Sequence, residues 1–300
     1  MANLKEIRNR ISSVSSTMQI TSAMKMVSAA KLKKAQDAIT AMRPYSDKLT
    51  QMLVNLSSSV DFENVYLSPR KVKNKLIVCI TSNRGLCGAF NSNVIKKCTE
   101  IATSSDENVS FFCIGKRGGD ILSKTHNVIQ SNNVVFDDLT FENISTIADK
   151  VMSMFLNKEY DSVQIVYNKF KNAATQIVTQ EQYLPIENNK SKDDEKDSSD
   201  YIFEPTQIEI ISELIPKSLK TQLYKSVRDS YASEHGARMT AMHKATDNAT
   251  ELRDQLKLTY NKARQAAITN EILEIVGGAE ALNGELIYTL FVFQLLLLYF

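Results

Sequence analysis

Residues 4 to 56 keep a single helical register. Steps of alternately three and four from Leu4 land on Ile7, Ile11, Val14, Met18, Thr21, Lys25, Ser28 and Leu32. They continue through Ala35, Ile39, Met42, Ser46, Leu49, Leu53 and Leu56, and twelve of the sixteen positions are apolar. A mean spacing of 3.5 is that of a coiled-coil seam, not of a helix packed one-sidedly on a globular core. Few sequence patterns constrain a chain more, because a helix this long needs a partner along most of its length. Pro44 is the one breaker between residues 1 and 68 and is predicted to kink or restart the helix.

A second such helix is predicted after Pro216, running to Val276, where Gly277-Gly278 stops it. About 60 residues at 1.5 Å each give roughly 90 Å. Its heptad reads Ala245, Ala249, Leu252, Leu256, Thr259, Ala263, Ala266, Asn270, Leu273. The alanines allow close approach of another helix, so the two ends of the chain are expected to pair antiparallel. Nine glycines and five prolines in 300 residues leave room for such lengths.

Between the helices the pattern changes. Lys75–Thr81, Val109–Gly115, Ser162–Tyr167 and Gln176–Tyr183 read as short strands rich in apolar residues. Helices are predicted over Asn91–Thr103, 116–126 and 141–157. Strand, helix, strand, helix, strand implies a small parallel sheet, and the fold class is α/β. The expected map is a coiled-coil helix at 1–60, an inserted Rossmann-like domain at 70–205, a coiled-coil helix at 206–282 and an apolar tail at 283–300. Residues 188–200 contain no apolar side chain and read as a solvated acidic loop.

Charge is uneven although the net value is only +2. Residues 1–50 carry nine basic against three acidic groups and 217–276 ten against seven, while the internal stretch 187–204 carries three against seven. Basic ends point to a partner with an acidic surface. The charged sequence that follows Met1 is not a leader pattern, and the cysteines at 79, 87, 98 and 113 show no paired spacing. Reduced thiols in a cytosolic compartment are expected, and no metal site.

Chemistry is thin. Ser82–Asn91 follows a strand and precedes a helix, where nucleotide folds place a phosphate loop, but Gly85-x-x-Gly88 is neither GxGxxG nor GxxxxGK[ST]. A structural turn is the better reading there, and likewise at Gly115-Lys-Arg-Gly-Gly119. Cys87 lies near Arg84 without a His or carboxylate to complete a nucleophilic set. His235 and His243 are expected at the surface. No catalytic residue, nucleotide site or cofactor is predicted.

Several long segments carry a resemblance. Thr21-Ser-Ala-Met-Lys-Met-Val-Ser-Ala-Ala-Lys-Leu32 closely resembles the first helix of the gamma subunits of F-type ATP synthases. Gly85-Leu-Cys-Gly-Ala-Phe-Asn91, Ala232–Met242, Ala245–Ala249, Tyr260–Ile272 and Glu274–Ala279 are similar to further motifs of that family. The resemblance covers residues 1 to about 282. It implies a non-catalytic rotor shaft, coupling proton flow to ATP synthesis. The implied partners are three alpha and three beta subunits, the epsilon subunit and the c ring, with no nucleic acid. The implied location is peripheral, on the cytoplasmic face of the bacterial inner membrane.

By motif matching, Met24, Lys25 and Arg238 are expected near acidic levers of the beta subunits. Arg264, Gln265 and Thr269 are expected near the catch that senses the shaft angle. Lys25 opposite Arg238 would put Leu4 near residue 259, leaving later residues as a single helix. The family pattern does not account for residues 283–300, and a chain cut after Leu282 is expected to assemble normally. Two other readings compete: an α/β nucleotide-binding enzyme with coiled-coil arms, and a coiled-coil scaffold binding nucleic acid through its basic ends.

Overall fold

The computed structural model describes residues 4–59, 65–68, 70–186 and 206–298. The acidic stretch 188–200 lies outside the described residues. In chain order the elements are α1 (Leu4–Ser59), β1 (Asn74–Ile80), α2 (Phe90–Ser104), β2 (Asn108–Ile114), α3 (Lys116–Leu122) and β3 (Asn127–Asn132). They continue with a 3-10 turn (Val134–Phe136), α4 (Phe141–Leu156), β4 (Ser162–Phe170), β5 (Gln176–Leu184) and α5 (Gln207–Leu298). The chain divides into two compact units, Met1–Ser22 with Lys244–Phe300, and Ala23–His243.

In the larger unit the strands form one sheet in the order β3-β2-β1-β4-β5. The first four are mutually parallel and β5 runs antiparallel to β4. Both faces of the central strands are covered. Leu76, Val78 and Ile80 pack with Ile144, Val151 and Phe155 of α4 and with Ile215, Leu219 and Leu223 of α5. Ile77, Cys79, Phe111 and Cys113 face Val94, Cys98 and Ile101 of α2. Burial on two sides is why these strands read as continuous apolar runs. β3 was not expected, because its sequence, Asn-Val-Ile-Gln-Ser-Asn, is largely polar at the sheet edge. β5 also lies at an edge, which permits its reversal.

The turn after β2 is shaped by close packing. Gly115 has φ of 105°, and a Cβ there would fall 2.1 Å from the Thr81 carbonyl oxygen. Thr81 Oγ1 in turn accepts a hydrogen bond from the Gly118 N–H at 2.9 Å.

In the same unit, α1 and α5 meet through Leu32, Ala35, Ile39 and Ala232. In the smaller unit the two helices meet again, antiparallel. Thr246 Oγ1 donates to Thr21 Oγ1 at 2.8 Å, Thr250 Oγ1 approaches Met18 Sδ at 3.4 Å, and Arg8 Nη2 donates to the Tyr260 hydroxyl at 2.8 Å. Ile7 is buried and Ile11, Val14 and Met18 are half-buried.

Three expectations are corrected. Lys25 meets His243, not Arg238, so Leu4 faces α5 beyond residue 259. On α5 the seam passes through Arg253 rather than Leu252: Leu252 is 47% exposed, while Arg253 Nη1 reaches Met18 Sδ at 3.5 Å. Leu256 remains half-buried.

Finally, α5 starts before Pro216 and passes through Gly277, Gly278 and Gly284 to Leu298, just as α1 passes through Pro44. A helical glycine costs only about 1 kcal/mol relative to alanine, and Gly277 and Gly278 have open space around them. From Arg264 to Leu282 every side chain of α5 is exposed.

Leu256→Asp is therefore expected to destabilise the paired ends by about 1–3 kcal/mol, the cost of a poorly solvated carboxylate. Leu252→Asp should stay within about 0.5 kcal/mol of wild type. Amide exchange of residues 4–22 and 244–263 measures both, and equal effects would return the seam to Leu252.

Candidate functional site

Where α1 passes the turns of the sheet domain, the larger unit holds a cleft of about 620 Å³. One wall is the α1 segment with Met24, Val27 and Lys31; another is the turn Asn83–Leu86. Arg117 of α3, Phe136 and Asp137 contribute from beyond the sheet, and α5 adds Tyr231, Glu234, His235 and Arg238.

The turn after β1 is closed on itself. The Asn91 side chain accepts from the Ser82 N–H at 2.9 Å and donates to Ser82 Oγ at 2.8 Å. Ser82 Oγ donates to the Arg84 carbonyl at 2.6 Å. Leu86 and Gly88 take left-handed φ values of 62° and 58° to complete the bend. The carbonyls of Arg84 and Gly85 point at Arg238, which supplies Nη2 to both, at 3.1 and 3.3 Å, and Nε to Gly85 at 3.3 Å. These bonds make Ser82–Asn91 a docking turn for α5. Burial pushes the Cys87 thiol up, opposite to what an activated thiol needs.

Arg238 is the hub. Its Nη2 stands 2.7 Å from Glu234 Oε1, with both side chains about nine-tenths buried. The expectation of an outward-facing cation is corrected: Arg238 is spent inside the chain. Gly236, between the two partners, lets α5 touch the chain at Ala173, since a Cβ there would lie 3.1 Å from the Ala173 carbonyl oxygen. Burial pushes the Glu234 carboxyl up, opposed chiefly by Arg238 and then by Lys31 and Arg84.

His235, expected at the surface, is buried. Its ring meets Tyr231 edge-on at 4.5 Å, and Nδ1 lies 3.4 Å from Arg238 Nη1. A guanidinium only donates, so Nδ1 is the acceptor and the proton sits on Nε2. Burial, then Arg238 and Lys31, depress its pKa to about 3.

The other sequence-predicted site residues are dispersed. Met24 lines the cleft with Arg238. Lys25 Nζ lies 3.3 Å from His243 Nδ1. Arg264, Gln265 and Thr269 belong to the smaller unit and are exposed, with Thr269 Oγ1 bonded to the Gln265 carbonyl at 2.9 Å. Lys31, Arg117, Tyr231 and Glu234 were not singled out in the sequence, and Arg84 only for its nearness to Cys87. The i, i+4 spacing of Glu234 and Arg238 is the signal that could have found this cluster. Among the described residues no group is arranged to hold a metal ion, and no helix is long and apolar enough to cross a membrane.

The sequence model of the ATP synthase family matches residues 3–282. An ATP synthase gamma chain of Flavobacterium johnsoniae is 69% identical over 95% of this chain and all of that protein. The chain belongs to the ATP synthase gamma family. The gamma chain of Cytophaga hutchinsonii is 51% identical, again over 95% of this chain and all of that protein. Among solved structures, a chain of the Euglena gracilis mitochondrial ATP synthase has the same fold. The TM-score is 0.69 at 24% identity, covering 93% of this chain and 94% of that one. Membership makes the chain a non-catalytic central-stalk subunit, the rotating shaft of the synthase.

Two outcomes follow from the buried cluster. Arg238→Gln strands the Glu234 carboxylate and should cost about 3–5 kcal/mol, while Arg238→Met with Glu234→Leu should recover most of it; chemical denaturation of the isolated chain measures both. The second concerns pH. His235 is neutral when folded, so the unfolded chain takes up the extra proton from its ordinary pKa near 6.5 down to about 3. Its contribution is complete above that window and is lost as pH falls through it, up to about 3–5 kcal/mol. Glu234 acts with the opposite sign, because a raised carboxyl pKa favours the folded chain on acidification. His235→Gln is expected to flatten the acid limb of the melting-temperature profile, and an unchanged limb would locate the proton uptake elsewhere.

Proposed function

We propose that this shaft turns within a ring of three alpha and three beta subunits, with epsilon and the c ring at its sheet domain. We place it on the cytoplasmic face of a bacterial inner membrane. The observation that carries this reading is the long exposed stretch of α5. Ile268, Ile272, Leu273, Ile275 and Val276 are each about half to two-thirds exposed, a run of apolar surface that a monomer rarely leaves in water. An enclosing sleeve of other subunits would cover it. On α1, Ile20, Met26 and Val27 are similarly exposed.

Lys25 is the cation best placed to meet an acidic lever, since Arg238 is neutralised by Glu234. Met24 belongs to the same face through the cleft. Arg264, Gln265 and Thr269, exposed on α5, are proposed to contact the catch. The packing of Ile7, Ile11, Val14, Met18 and Leu256 serves stiffness, and Leu252 is free to meet the ring. The helix beyond Leu282 lies past the family match, and its removal should leave assembly intact.

Purified alone, the chain is expected to hydrolyse no ATP, and its addition to alpha and beta subunits should yield a stable complex with cooperative ATPase activity. Failure to assemble would refute the reading. Within that complex in membrane vesicles, Lys25→Glu should shift the ratio of proton pumping to hydrolysis by roughly twofold to fivefold, the range a surface ion pair of up to about 1 kcal/mol supplies. A normal ratio would make Lys25 an ordinary solvated charge.

A further inference from the structure

We propose that the cleft beside the Arg238–Glu234 pair binds a small organic oxyanion, a phosphate monoester or carboxylate carried on an apolar or aromatic body. The first ground is charge. Lys31, Arg84, Arg117 and Arg238 line it against Asp137 and Glu234, and Arg238 and Glu234 cancel each other at 2.7 Å. Three cations then face one carboxylate. Lys31, Arg84 and Arg117 are exposed, so their charges are available to a ligand.

The second ground is an orphaned donor. His235 lines the cleft and is 5% exposed, and its Nε2 has no hydrogen-bond partner among the described residues. With Nδ1 accepting from Arg238, Nε2 carries the proton, and a buried N–H without an acceptor costs free energy until one arrives. An oxyanion oxygen is the acceptor that the surrounding cations favour.

The third ground is shape. Phe136 and Tyr231 stack with centroids 6.3 Å apart and planes within 14°, and Met24, Val27 and Leu86 extend the apolar lining. A volume of about 620 Å³ suits a molecule larger than a bare inorganic ion. Apolar walls with a few convergent polar groups form the usual composition of a small-molecule pocket. The site lies wholly within the larger unit and does not depend on the shaft reading.

The isolated full-length chain is titrated calorimetrically at fixed ionic strength with phenyl phosphate, benzoate and phenol. Saturable binding of phenyl phosphate or benzoate is expected with a dissociation constant on the order of 1 mM, as suits so small a ligand, and the tighter of the two identifies the headgroup. Phenol should bind at least about tenfold more weakly, and Lys31→Gln and Arg117→Gln should each weaken the anion by about tenfold. Both replace exposed side chains, and thermal melting verifies their folding. In parallel, the ¹⁵N resonance of His235 Nε2 should move on saturation. Absence of saturable anion binding, equal affinity for phenol, or full affinity in both variants would overturn the site. None of these results would touch assembly with alpha and beta subunits.

Discussion

A charge taken out of water must be neutralised where it lies, and the Arg238–Glu234 pair meets that condition while joining two distant parts of the chain. Glu234 alone would be a costly buried carboxylate, and Arg238 alone a buried cation with no counter-ion. Together, at 2.7 Å, they leave Arg238 with donors to spare for the carbonyls of Arg84 and Gly85. The turn after β1 is thereby tied to α5. Tyr231 and His235, from the same face of α5, continue the wall of the cleft. The pair is a weak source of net stability on general grounds, but it fixes which residues of the turn meet which residues of the helix.

The paired ends solve a different problem. Their contacts include Thr21 with Thr246 and Met18 with Thr250 and Arg253. A seam of small, hydroxylated and thioether side chains permits close approach but supplies less burial than leucine would. Register must then come from directional bonds, and the Thr21–Thr246 and Arg8–Tyr260 hydrogen bonds provide it.

Much of this was legible in the sequence, for reasons particular to each element. The α1 register runs without glycine across its length, so its face had one reading. The central strands were visible because helices bury both of their faces. On α5 the heptad slipped at Leu252 because Ala245 and Thr246, then Ala249 and Thr250, are neighbours of similar size, and either column can serve as seam. Leucine looked the better seam residue than Arg253, yet it is the Arg253 guanidinium that reaches Met18 Sδ. β3 hid behind Asn127, Gln130, Ser131 and Asn132, whose polarity suits a sheet edge. His235 and Arg238 were read as solvent-facing, as such residues usually are. Their burial depends on the turn at 82–86, far away in sequence.

The glycines of α5 carry the last step. Gly277 and Gly278 look like a stop signal, but a C-terminal glycine cap needs a left-handed backbone, and only Gly88 and Gly115 have positive φ among the described glycines. Nothing packs where their side chains would be, so no close contact explains them either. What they change is local: two glycines in an unsupported helix weaken it by about 2 kcal/mol relative to alanine. That weakness falls in the stretch from Arg264 to Leu282, where every side chain is exposed and α1 lends no support. A helix in that position is held straight only by what surrounds it. The stiffness of the paired segment is therefore intrinsic to the chain, while that of the segment around Gly277 would, on the reading proposed above, be supplied by an enclosing ring of subunits.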